Sequence, residues 1–214
     1  MGKLSELALK HGSDKWGHHY YTEHYEKTLE HLKDKHFNLL EIGIGGYEYP
    51  DRGGASLNMW AEFFPLAHVI GFDFYDKSYI HKIAEDIRTV KGDQSSNDDL
   101  IKLNTIHGPF HVIIDDGSHM CAHQIKSFEV LFPLMPDGGI YIIEDTETSY
   151  WKYYGGTMVL DIIEKKTCIG YFMNKIHEMM YRTNGTVKQE PYTDIIESIQ
   201  FYNNIIIIRK GYNS

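Results

Sequence analysis

Short apolar runs ending in glycine or an acid recur along this chain, and stretches with helical spacing separate them. The runs are FNLLEIGIG (37–45), HVIGFDF (68–74), IRTVKGD (87–93), FHVIIDDG (110–117) and GGIYIIEDT (138–146). Between the first two, GASLNMWAEFFP sets Leu57, Trp60, Ala61 and Phe64 on one helical face, with Ser56 in the first turn and Pro65 at the end. SSNDDLIKLNTIH and HMCAHQIKSFEVLFPLM read as further helices, and a short helical piece joins the second and third runs. Strands that are apolar almost throughout are buried on both faces, which happens when crossover helices cover a parallel sheet. The alternation therefore predicts an α/β chain with a doubly wound, Rossmann-like sheet, and ligands at the carboxyl ends of its strands. The last stretch, IIESIQFYNNIIIIRKG, breaks the alternation. Its two β-rich runs flank Asn203-Asn204, a pair that tolerates positive φ, so an antiparallel hairpin closes a seven-stranded, mostly parallel sheet.

At 214 residues the chain is sized for one domain, 1–214, opening with a helical cap over 1–36. TMVLDIIEKKTCIGYFMNKIHEMMYR (157–182) carries a helical apolar stripe. It suits a helix packed on the sheet, with a lid over 147–190 or a homo-oligomer contact as the alternatives. A net charge of −9 and the lack of a basic stripe argue against a nucleic-acid partner. No apolar run approaches the roughly 20 residues that cross a bilayer, so no membrane partner is expected. Cys121 and Cys168 form no close-spaced motif and the N-terminus lacks a signal-peptide pattern, which fits a cytoplasmic protein. The histidines crowded into 15–36 lack the ligand spacing of a metal site and read as surface residues.

EIGIGGYEYPDRGG (41–54) follows the first strand with three glycines in four positions. Gly43 and Gly45 match the first two glycines of a dinucleotide fingerprint, but Glu48 stands at the third, where its bulk and charge oppose a bound diphosphate. A nucleoside without phosphates suits the loop better. S-adenosylmethionine is such a ligand: its sulfonium and amino groups are cationic, so Glu41 at the strand end favours it and bare backbone lets it lie close. Asp73, ending the second strand, is placed for the ribose hydroxyls, and Phe74 for one face of adenine. Asp93, Gln94 and Ser95 supply polar groups for the adenine edge, and Ser56 joins the cofactor set from the helix after the loop. Each of these acids alone could equally be a turn or helix cap.

IIDDGSH and IIEDTETSYW end the fourth and fifth strands, so two acid pairs lie over one crevice. Neighbouring strand residues face opposite sides, which sends Asp115 towards the cofactor and Asp116 towards the substrate. Asp116, Glu144 and Asp145 together give three hard oxygen ligands, a set that suits Mg2+ rather than zinc. His119, three residues past Asp116, is placed as a general base. Taken singly, Asp116-Gly117 is also a good turn, Ser118 a good N-cap, and Glu144 or Asp145 a cap of the next segment.

HGSDKWGHHYYTEHYE, LLEIGIGG, GGASLNMW, DDGSH and IEDTETSYW together resemble the metal-dependent sugar O-methyltransferases of macrolide tailoring, of the mycinamicin and demethylmacrocin type. The resemblance covers most of 11–155. It implies a class I S-adenosylmethionine-dependent methyltransferase in which Asp116, Glu144 and Asp145 bind magnesium and His119 is the base. The macrolide enzymes of that family carry an additional N-terminal domain not found in this sequence, from which a smaller acceptor is expected: a nucleotide-linked sugar for a surface polysaccharide. The alternatives are methyl transfer to another small hydroxylated metabolite, or a binding module that keeps the nucleoside pocket without catalysis.

Overall fold

The computed structural model describes residues 1–80, 87–157, 166–182 and 189–212. The strands form one seven-stranded sheet in the order β3-β2-β1-β4-β5-β7-β6. Its elements fall into two compact units, Met1–Asp93 and Gln94–Ser214.

The first unit holds β1 (Phe37–Ile42), β2 (Ala67–Asp73) and β3 (Ile87–Lys91), all parallel. Register runs from Phe37↔Ala67 to Ile42↔Phe72, so the ends of β1 and β2 finish level, and the loops that leave them meet. Three helices complete the unit: α1 (Lys3–His11), α2 (Thr22–Leu29) and α3 (Ala55–Phe63). α1 stops at Gly12, whose left-handed φ of 72° lets its N–H return to the carbonyls of the last turn. Trp60 is fully buried and meets Tyr25 edge-on at 5.0 Å, which ties the N-terminal helices to α3 through aromatic packing. The helical piece expected between β2 and β3 falls partly on 81–86, outside the described residues.

The second unit pairs β4 (Val112–Asp115) parallel with β5 (Ile140–Ile143), and β5 antiparallel with β7 (Ile205–Lys210). β6 (Ile196–Tyr202) forms the expected hairpin with β7, and Asn204 sits at φ 61° in the turn. Ile140, Ile142 and Ile143 of β5 and Ile205 to Ile208 of β7 are all buried, as strands covered on both sides must be. α4 (Asn97–His107) begins at Ser96, whose hydroxyl accepts the Asp99 N–H at 3.2 Å. α5 (Cys121–Leu131) places Phe128 among Phe132, Tyr141 and Phe172, with centroids 4.6, 5.4 and 4.8 Å away. α6 (Cys168–Glu178) realises the C-terminal part of the 157–182 stripe and continues as a tighter turn through Met179–Arg182; residues 158–165 lie outside the described residues. Its N-cap is Thr167, whose hydroxyl accepts the Gly170 N–H.

Candidate active site

In the first unit, the glycine loop folds back on itself. Gly45 and Gly53 pack backbone against backbone: a Cβ on Gly53, at φ 100°, would stand 2.3 Å from the Gly45 carbonyl oxygen. Gly46, at φ 79°, leaves equally little room against the Arg52 carbonyl. The bare backbone is thus required first by the loop's own close approach. A lysine holds the fold-back from inside. Lys77 is 2 % exposed, and its ammonium donates to the carbonyls of Tyr47 (2.7 Å), Tyr49 (2.7 Å) and Arg52 (3.1 Å), meeting three acceptors with its three protons.

Glu41 has partners that the sequence did not reveal. It is fully buried, and its carboxylate receives the Trp60 indole N–H at 3.0 Å and faces the Lys15 ammonium at 3.2 Å. Its charge is met from within the fold by the lysine of HGSDK. Asp73 spends one bond from each oxygen on backbone: Oδ2 accepts from Ile44 N (3.1 Å) and Oδ1 from Tyr75 N (2.8 Å). This level junction of β1 and β2 fixes the carboxylate at the mouth of the glycine loop while each oxygen keeps accepting capacity. Gly43 and Gly45 take left-handed φ values of 79° and 71° there. Ser56 is buried in the first turn of α3, Phe74 is exposed beside Tyr75, and Asp93 is half-buried past β3.

In the second unit, parallel register sets Asp115 beside Ile143, so Asp116 and Glu144 are the next residues on adjacent strands. Asp115 is entirely buried and its partners all belong to the fold. It accepts from Gln94 Nε2 (2.7 Å), from the Ser127 hydroxyl, from the Tyr141 hydroxyl (3.3 Å) and from Gly117 N (3.4 Å). Burial raises its pKa to about 6, against the lowering pull of the Ser127, Gln94 and Gly117 bonds. Asp115 and Gln94 support the turn that follows. Gln94 Oε1 accepts the Ser118 N–H at 3.1 Å, which completes a brace from Asp115 through Gln94 to the DGSH turn. Ser95 is exposed at the same turn into α4. Ser118 is not the N-cap of α5; Met120 holds that place, and the serine hydroxyl bonds His123 Nδ1 at 2.8 Å.

The brace presents Asp116 and His119, and the segment after β5 presents Asp145. One ligand atom from each of these three residues lies within 4.8 Å of the other two. His119 Nε2 stands 3.6 Å from Asp145 Oδ2, and His119 Nδ1 is buried without a hydrogen-bond partner. All three side chains are half-buried, open enough to admit a ligand. His119 and Asp145 both adopt left-handed backbone, φ 56° and 52°. Such conformations cost on the order of 1–3 kcal/mol each and persist where surrounding structure imposes them. Glu144, the residue before Asp145, is buried; its backbone carbonyl accepts from Gln124 Nε2 (3.0 Å) and its N–H bonds the Asp115 carbonyl. The structure thus brings together the expected histidine and two of the three expected carboxylates.

That donor set fits a divalent cation. Two carboxylates are hard oxygen ligands, and magnesium is commonly held by one or two carboxylates with water or substrate oxygens completing its shell. Beyond the group, Tyr150, Trp151 and Tyr153 stand exposed on the segment after β5, and Tyr154 approaches His119 with ring centroids 6.4 Å apart.

No family model matches the chain. It is similar to the 8-demethyl-8-alpha-L-rhamnosyl tetracenomycin-C 2'-O-methyltransferase of Streptomyces olivaceus, with 38% identity over 99% of this chain and 55% of the relative. Mycinamicin VI 2''-O-methyltransferase of Micromonospora griseorubida is 37% identical over 98% of this chain and 53% of its own length. Among solved structures, the MycE methyltransferase of the mycinamycin biosynthetic pathway, in complex with Mg, SAH and mycinamycin VI, superposes with a TM-score of 0.93 at 36% identity. That superposition covers 99% of this chain and 54% of that one. The chain spans about half the length of the curated relatives it matches. Along essentially all of its own length the chain is thus homologous to about half the length of sugar O-methyltransferases of the mycinamicin and demethylmacrocin type.

Proposed function

We propose that the chain is an S-adenosylmethionine- and magnesium-dependent O-methyltransferase acting on a sugar hydroxyl. The observation that carries this reading is the convergence of Asp116, His119 and Asp145 beyond the ends of neighbouring parallel strands. The names of the relatives, and the Mg and SAH in the solved relative, support it.

The backbone at Gly43 and Gly45 takes the methionine portion of the cofactor, Asp73 the ribose hydroxyls, and Phe74 and Asp93 the adenine. Asp116 and Asp145, with Glu144 before it, would hold the ion, which when bound would supply the Lewis acidity that lowers the pKa of an acceptor hydroxyl. His119 takes the hydroxyl proton. The acceptor oxygen then attacks the methyl carbon in line: the C–O bond forms as the C–S bond breaks, and the leaving sulfide is neutral, so no general acid is required. Trp151 and Tyr153 offer amphipathic aromatic faces to the acceptor. The relatives' names put the accepting sugar on a larger compound, and we assign the same acceptor class, a glycoside; nucleotide-linked and polysaccharide-precursor sugars form the comparison set.

Calorimetry with S-adenosylmethionine, with and without Mg2+, followed by a methyl-transfer screen over these acceptors, tests the reading. His119→Ala should keep cofactor affinity and lose turnover by about 10²–10⁴-fold, as removal of a general base does. Asp116→Ala and a chelator should each abolish the magnesium-dependent rate. Full activity of His119→Ala rejects the base; chelator-indifferent turnover rejects the ion.

A further inference from the structure

One side chain connects the two left-handed residues of the ion group. Thr148 is 2 % exposed, and its hydroxyl lies 3.0 Å from the His119 carbonyl oxygen and 2.9 Å from the Asp145 carbonyl oxygen. A threonine hydroxyl carries a single proton, so the two carbonyls share one donor. The threonine is itself held on both sides: its N–H bonds the Asp145 carbonyl at 3.2 Å, and its own carbonyl accepts from Trp151 N at 2.9 Å. A Cβ on Gly156 would stand 2.5 Å from the Thr148 carbonyl oxygen, so the chain packs tightly behind it.

We propose that Thr148 is a positioning residue for the ion site. It clamps the backbones of His119 and Asp145 in their strained conformations, and so sets the separation of imidazole and carboxylate at the ion site. The inference rests on the magnesium reading above. Neither left-handed residue is a glycine, so each would relax towards ordinary backbone if released. A relaxation at either corner carries its side chain away from Asp116. Supporting hydrogen bonds of this kind alter metal affinity without touching the metal.

The test is calorimetric titration of Mg2+ into the full chain, with S-adenosylhomocysteine affinity measured in parallel as a check on the fold. Thr148→Val keeps the shape and removes the hydroxyl, and should weaken Mg2+ binding about 10–100-fold while leaving S-adenosylhomocysteine affinity unchanged. Thr148→Ser keeps the hydroxyl and should restore Mg2+ binding to near the parent value. Thr148→Ala serves as a second deletion, should the valine methyl disturb packing. Parent-like Mg2+ affinity in either deletion overturns the role, as does a serine variant as weak as valine. Loss of S-adenosylhomocysteine binding together with Mg2+ binding in both deletions overturns it as well, because it makes Thr148 a general support of the fold. If the parent chain binds no Mg2+, the magnesium reading itself fails, and that outcome is distinct from failure of the clamp alone.

Discussion

Lys15 and Glu41 show how little a charged residue announces about its destination. Both are buried, 3.2 Å apart, with Trp60 donating to the same carboxylate. Removing one partner of such a pair leaves the other charge stranded in low dielectric, which costs about 3–5 kcal/mol. Lys15→Met should therefore destabilise the chain by that amount in urea denaturation, and adding Glu41→Gln should recover part of the loss. A double variant no more stable than the single would show that Glu41 does not depend on Lys15. The acid was legible in the sequence because it ends an apolar strand, and its counter-ion was not, because that lysine lies 26 positions earlier in a segment with no periodicity. His119 and Asp116 were legible for the opposite reason: two neighbouring strand ends converge whatever their side chains do. The path beyond Glu144 was not legible, because sequence does not reveal that Asp145 turns left-handed.

At the level of elements, strands and helices were readable because strands covered on both faces must be apolar throughout, as β5 and β7 are. Loops obey tighter and less visible rules. The 43–54 loop looked like a ligand cradle, yet its glycines first allow two stretches of its own backbone to touch. Gly53→Ala would force a Cβ to 2.3 Å from the Gly45 oxygen at a φ of 100°, so the fold-back must open. A stability loss of at least about 1–3 kcal/mol is expected, with weakened S-adenosylhomocysteine binding in calorimetry. Parent-like binding would show that the fold-back and the cofactor site are independent. The brace of Asp115, Gln94 and Ser127 was equally invisible, since its members sit on a strand, a loop and a helix and meet only in the folded unit.

Across the whole molecule, no helix among the described residues is long and apolar enough to cross a membrane, and a net charge of −9 leaves the lysines outnumbered by acids. Among the described residues four lysines nevertheless lie in the interior: Lys15, Lys77, Lys175 and Lys210. Each has taken carbonyls or carboxylates in place of water. Lys77 is the most completely committed, with all three ammonium protons directed at the backbone of a single loop. An amine-acylating reagent needs a free lone pair and an approach path, and this nitrogen offers neither. Brief acetylation followed by peptide mass mapping should mark surface lysines such as Lys10 and pass over Lys77, until denaturant lets the loop unwind and the nitrogen reacts like any other.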